Sequence, residues 1–217
     1  WDDPRLATLS GLRRRGVPAR ALRDFVERVS VSKNEGEVEI ALLEHCIRDE
    51  LNQKAERRLA VIRPLKVIIE NFPQNETEWL EAVNNPNSAD KKTRTIPFSR
   101  ELWIEQEDFQ EDPPNKFFRL APGREVRLRY AFFITCQDLI KDKTGKVIEI
   151  KCTYDPETRG GNSPDGRKVK GTIHWVSAAH AQQAEIRIYN SLYKCSNPGV
   201  ERDFLEDLSQ ESMEILT

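Results

Sequence analysis

The chain has 217 residues, 38% of them hydrophobic and 32% charged, with 34 Lys and Arg against 36 Asp and Glu for a formal net charge of −2. That length accommodates a real core in one large domain or two to three small ones, and no run approaches 18 uncharged apolar residues, which excludes a membrane-spanning helix. The balanced charge excludes a surface coated in basic groups for indiscriminate nucleic-acid binding and leaves room for a local basic patch.

The chain opens on "WDDPRLATLSGLRRRG". With no initiator Met and no charged-then-apolar leader, it is expected to be a fragment without a secretory signal. In "VPARALRDFVERV", Leu22, Phe25, Val26 and Val29 recur at helical spacing, and Pro18 suits a first turn. "EVEIALLEHCIRDEL" repeats the pattern with Ile40, Leu43, Cys46, Ile47 and Leu51, and "SVSKNEG" between them carries turn chemistry. These features predict a small helical domain over residues 1–60.

Past Pro64 the period changes. "LKVIIENF", "ELWIEQEDF", "EVRLRYAFFITCQDLI", "KVIEIKCTYD", "KGTIHWVS" and "EIRIYNSLYK" are rich in β-branched and aromatic residues, separated by turn signals such as "KTG" and "NSPDG". The pattern predicts antiparallel sheet closed into β-barrels over residues 61–217, so the fold class is α+β by segment. "TRGGNSPDGRK" reads as a long hairpin loop rather than a phosphate-binding loop, lacking the strand-then-helix context.

In "EVRLRY", Val126, Leu128 and Tyr130 point one way and Arg127 and Arg129 the other. Two such guanidiniums sit roughly 6–7 Å apart along the strand. They suit bidentate contact with phosphate or a base edge; equally, they suit a solvated surface, paired with Glu101, Glu105 or Glu107. Charge is uneven: residues 113–130 hold five basic side chains against one acidic, and residues 201–217 hold six acidic against one basic.

The four cysteines, Cys46, Cys136, Cys152 and Cys195, form no CxxC pair and are expected to be buried free thiols of a reducing compartment. The three histidines, His45, His174 and His180, match no metal-ligand spacing and are expected to be structural. No HExxH and no Ser/His/Asp or Cys/His arrangement stands out, so the residues define no active site.

Several long stretches, in order, carry a resemblance: "WDDPRLATLSGLRRRG", "LEHCIRDELNQKAERRLAVIRPLKVIIEN", "PGREVRLRYAFFI", "CTYDPET", "DGRKVKGTIHWVSAAHA" and "NPG". Together they resemble the glutaminyl-tRNA synthetase family of class I aminoacyl-tRNA synthetases over nearly the whole chain. The resemblance implies a stem-contacting helical domain followed by most of two anticodon-binding barrels related to ribosomal protein L25, incomplete at the C-terminus. It implies that the catalytic domain of the same chain lies before Trp1, that the parent enzyme uses ATP and Mg²⁺, and that this part needs no cofactor and is inactive alone. The implied partner is glutamine-accepting tRNA, and the implied setting is a cytoplasmic monomer with no membrane association.

By motif match, the implied anticodon contacts are Asn52, Arg57, Asn87, Lys116, Arg119, Arg127 and Arg129. Lys33, Asn34 and Glu39 are implied at the inner corner of the tRNA. Arg13, Arg14 and Arg15 either contact phosphates along the tRNA stem or pair internally with Asp2, Asp3, Asp24 or Glu27, and the sequence leaves both open. Lys116 and Phe118 depart from the family pattern before Arg119; Phe117 and Phe118 either stack on a base or pack in the barrel. Alternatives left open are a glutamyl or non-discriminating synthetase fragment and a stand-alone L25-like RNA-binding barrel.

Overall fold

The computed structural model describes residues 1–30 and 36–216. Its elements run α1 (Leu9–Arg14), α2 (Ala19–Val29), α3 (Ile40–Lys54), β1 (Pro64–Ile69), β2 (Thr77–Val83), β3 (Thr93–Ser99), β4 (Glu101–Glu105), β5 (Glu125–Leu128), β6 (Phe133–Lys141), β7 (Val147–Asp155), β8 (Thr172–Ile173), β9 (Val176–Ser177), β10 (Ile186–Tyr189) and β11 (Met213–Leu216). The fold is mixed α+β. Two compact units divide the chain: one gathers the described residues of 1–56, 85–90 and 183–216, the other residues 57–84 and 91–182.

In the first unit, Thr8 caps α1 by accepting the Gly11 N–H at 3.0 Å. Gly11 is required there: a Cβ would lie 2.5 Å from the carbonyl oxygens of Asp3 and Leu6. Helix α2 packs on α3, with Ala21, Leu43 and Cys46 buried. The apolar faces expected from periodicity are only partly used. Leu22, Phe25 and Ile47 are half-buried, whereas Val26, Val29, Ile40 and Leu51 are exposed. A short helix pair buries only the turns that face each other, so residues at the helix ends keep their period without a partner. Strands β10 and β11 form an antiparallel pair, Ile186 opposite Leu216 and Tyr189 opposite Met213. Arg5 Nη1 donates to Ser212 Oγ at 2.9 Å, tying the opening motif to the approach to β11.

The second unit is built on a seven-stranded sheet in the order β8-β5-β6-β7-β1-β4-β9. Its two outermost strands are separated in sequence only by His174 and Trp175. Two residues span at most about 10 Å, so the sheet must curl until its ends approach, giving a half-barrel. The β2–β3 pair covers it, Leu80 opposite Ile96. One alternating face supplies the core: Leu65, Val67 and Ile69 from β1, Leu102 and Ile104 from β4, Val126 and Leu128 from β5, Ile150 and Cys152 from β7. Phe98 of β3 sits at the centre, its ring 5.1 Å from Phe72, 5.1 Å from Phe132 and 5.3 Å from Trp175. Each such fully buried side chain contributes about 1.5–3 kcal/mol relative to exposure.

Several expectations change. The sheet is mixed rather than antiparallel, because β1 pairs with β7 and β5 with β8 in parallel. Long connections between those strands let the chain re-enter the sheet in the same direction. "TRGGNSPDGRK" is therefore no hairpin loop; it crosses from β7 to β8, which lie apart in the strand order. "KGTIHWVS" breaks into two short strands at the sheet's opposite edges, and β2, β3 and β11 arise where the periodicity gave no signal. Pro97 within β3 masked that strand in the sequence. Cys46, Cys136 and Cys152 are buried free thiols, but Cys195 is exposed. No helix among the described residues is long and apolar enough to cross a membrane.

Candidate nucleic-acid interface

Strand β5 and its turn to β6 carry Arg127 and Arg129 in the second unit. The alternation of "EVRL" is realised: Val126 and Leu128 are buried, Glu125 and Arg127 half-buried on the other face. The chain reverses through Tyr130, a non-glycine residue at φ 66°, a sparsely populated conformation that the surrounding packing must hold. Its ring packs against the core and lies 5.3 Å beneath the Arg129 guanidinium. Trp175, itself buried, donates its indole N–H to the Arg129 carbonyl at 3.0 Å.

Arg127 lies 5.7 Å over the Phe133 ring. Its Nε is buried and meets no hydrogen-bond acceptor. Neither Arg127 nor Arg129 makes an ion pair among the described residues. Two of the carboxylates considered as partners, Glu101 and Glu105, are engaged elsewhere. Glu101 pairs with Lys66 at 3.0 Å. Glu105 accepts the backbone N–H groups of Ile62 and Arg63 at 2.6 and 2.9 Å. Glu107 presents its carbonyl to Arg119.

Beside this strand a cleft of about 290 Å³ is lined by Asn115, Phe117, Phe118, Arg119, Arg124 and Lys170, among others. Phe118 is half exposed, and the Lys170 ammonium sits 5.1 Å from its ring centre. Phe117 is half-buried, and its carbonyl accepts from Arg124 Nη1 at 2.7 Å. Phe117 is thus the more covered of the two rings, and Phe118 is left open. Arg119 is exposed but anchored by Asp108 at 2.6 Å. Burial pushes the Asp108 carboxyl up, with Arg119 opposing that shift. Lys116 is exposed. Gly171 forms one wall; a Cβ there would lie 2.0 Å from the Phe118 carbonyl oxygen.

Arg57 begins the second unit. It is half-buried, and its backbone N–H donates to the Asn84 carbonyl at 2.6 Å. In the first unit, Asn52 and Asn87 meet directly: Asn87 Nδ2 donates to the Asn52 carbonyl at 3.2 Å, and the Asn87 N–H to Asn85 Oδ1 at 2.9 Å. Glu39 is the exposed N-cap of α3 and makes no side-chain cap. Lys33 and Asn34 lie outside the described residues. Arg13, Arg14 and Arg15 are exposed at the end of α1. Arg14 pairs with Asp2 at 2.9 Å, one of the internal partners considered above. Asp3 and Asp24 instead take Arg5 and Arg20.

The other titratable clusters are local. His180 Nδ1 and Ser177 Oγ are 2.9 Å apart, and Ser177 Oγ is 2.7 Å from Ser99 Oγ; His45 pairs with Asp49 on α3. Among the described residues, no group of three or more His, Cys, Asp or Glu could hold a metal ion. Sequence reasoning missed Arg167, which pairs with Glu125, Asp155 and Asp165 and lies 5.3 Å over the same Phe133 ring. Its place in a charged, Gly-containing loop gave no hint of partners 42 residues away.

Residues 55–155 match the family model described as tRNA synthetases class I (E and Q), anti-codon binding domain, and residues 172–217 match a second model of the same description. Among curated relatives, the Glutamine--tRNA ligase of Bradyrhizobium diazoefficiens is 58% identical over all 217 residues, that of Nitrobacter hamburgensis 56%, and that of Proteus mirabilis 50% over 215 residues. The chain spans 39% of the length of each of these relatives. With matched segments that contain β5, Arg127 and Arg129, this chain belongs to the anticodon-binding family of the class I tRNA synthetases of the E and Q type.

Proposed function

We propose that this chain is the tRNA-recognising part of a glutamine–tRNA ligase, with residues 1–60 serving the stem and inner corner of the tRNA and residues 61–217 the anticodon, in barrels of the L25 kind. Arg57, Arg119, Arg127 and Arg129, with Lys116, Asn52 and Asn87, read or hold the splayed anticodon bases. Glu39, Lys33, Asn34 and Arg13–Arg15 serve the stem side, and Phe118 offers its open ring to a base. The parent enzyme would join glutamine to tRNA with ATP and Mg²⁺ in its catalytic domain, acting as a cytoplasmic monomer.

The observation that carries this reading is Arg127: a guanidinium fixed over an aromatic ring, with no ion pair among the described residues. Sequence-specific RNA recognition targets unstacked loop bases, whose edges supply acceptors for the outer nitrogens of such a fork. Arginine forks on a rigid strand discriminate because a wrong base leaves donors unpaired, at about 1–3 kcal/mol each. Lysines near phosphates add affinity without information.

The test is binding of this chain to an RNA hairpin whose loop carries a glutamine anticodon, against hairpins with each anticodon base replaced. Tighter binding to the first is expected; equal affinity for all would overturn the reading. In the full-length protein, Arg57→Ala should reduce kcat/KM for tRNA more than it changes KM for ATP. The isolated chain should show no glutamine-dependent ATP–pyrophosphate exchange.

A further inference from the structure

Glu125 and Arg127 occupy the same face of β5, two residues apart, roughly 6–7 Å along the strand. An acid and an arginine so placed are natural partners, yet they do not pair. Both Glu125 oxygens are taken by Arg167 instead: Nε to Oε2 at 3.0 Å and Nη2 to Oε1 at 2.9 Å. This is the bidentate geometry in which a guanidinium holds a carboxylate most firmly. Arg167 also engages Asp155 through Nη2 and Asp165 through Nη1, the latter at 2.8 Å. Three carboxylates thus surround one guanidinium, while the second guanidinium over the same Phe133 ring has none.

We propose that Arg167 is a positioning residue for Arg127: it holds the Glu125 carboxylate away and so leaves the Arg127 guanidinium free for an acceptor on a single-stranded RNA loop. The inference rests on the anticodon reading of Arg127. Arg127 cannot easily be drawn off by a distant acid, because its guanidinium lies over Phe133 and its stem lies against Gly161, where a Cβ would come within 2.9 Å of Arg127 Cδ. Glu125 is its same-face neighbour on β5 and is the acid that Arg167 engages. The three hydrogen-bonded carboxylates push the Arg167 pKa further up, so the clamp keeps its charge across the whole physiological range. The "PDGRK" loop follows the clamp: the Arg167 N–H donates to Asp165 Oδ1 at 3.1 Å, and the Gly166 N–H to the Ser163 carbonyl at 3.1 Å.

The experiment measures dissociation constants of the full chain for the glutamine-anticodon hairpin at one fixed salt concentration. Arg167→Ala should weaken binding about tenfold. Adding Glu125→Gln to that variant should restore binding to within about threefold of the wild type, since the neutral amide no longer competes for Arg127. A double variant as weak as Arg167→Ala would overturn the proposal, because a direct RNA contact or a purely structural role of Arg167 gains nothing from removing Glu125. Arg127→Ala is run alongside. Wild-type affinity there would overturn the anticodon reading and the proposal with it; weak binding there with unchanged binding for Arg167→Ala would overturn the positioning role alone. Thermal melts accompany every variant, and Arg167→Gln replaces the alanine variant, with the same expectations, if the latter melts below the assay temperature.

Discussion

Arg127 and Arg167 share one ring: their guanidinium carbons lie 5.7 and 5.3 Å from the centre of Phe133, yet only Arg167 carries ion pairs. Two like charges against a single buried aromatic are tolerable because carboxylates neutralise one of them. The other retains its charge and its donors. Arg127→Ala should therefore cost about 1.5–3 kcal/mol in affinity for the anticodon hairpin. The melting temperature should stay within a few degrees, since no intramolecular hydrogen bond of the side chain is lost. Calorimetric titration and a thermal melt of the same sample check both halves.

Phe118 is an exposed aromatic in a basic cleft. Base–aromatic stacking is worth about 1–3 kcal/mol per base. Phe118→Ala should lose that much RNA affinity without loss of stability, and Phe118→Tyr should keep it. Fluorescence anisotropy with a labelled hairpin distinguishes this from packing, in which case the alanine variant would melt earlier and bind as before.

Gly171→Ala should destabilise the second unit. The added methyl would meet the Phe118 carbonyl oxygen at 2.0 Å, a backbone atom that cannot swing aside. Overpacking of this kind costs about 1–3 kcal/mol, sometimes more. A urea titration should show a lower midpoint with an unchanged slope.

Acid stability of the opening motif follows from Asp3. Its carboxyl is held down to about 2 from 3.8, first by the Arg5 side-chain hydrogen bonds and then by the Arg5 backbone N–H. A folded pKa below the unfolded one means the contribution is present above the unfolded value and is lost as pH falls through the folded value. Asp3→Asn should be less stable than the wild type above about pH 5, with the difference vanishing near about pH 2. Denaturant melts across that range check the sign.

The strand alternation "EVRL" and the apolar runs of β1, β4 and β7 were legible because each strand's period depends only on its own residues meeting one buried face. The helical period in α2 and α3 was equally legible, but exposed Val26 and Ile40 show that a period marks what a helix can bury, not what it does bury. The resemblance of "WDDPRLATLSGLRRRG" and the later motifs reached the family, because extended identity needs no geometry. The parallel pairing of β1 with β7 and of β5 with β8 was not legible, since it depends on connections dozens of residues long.

By itself, the sequence determined the helical opening and most of the strands of the large sheet, which face of β5 carries arginine, and to which family the chain belongs; all of these are properties of local order along the chain. Only the tertiary structure decided which acid meets which base. Glu125 had a near neighbour in Arg127 and took a remote one in Arg167, because the curled sheet brings the β7–β8 crossing over β5. Ion pairing is a short-range contest among whichever charges the fold brings together, and its outcome cannot be read before the chain has closed on itself.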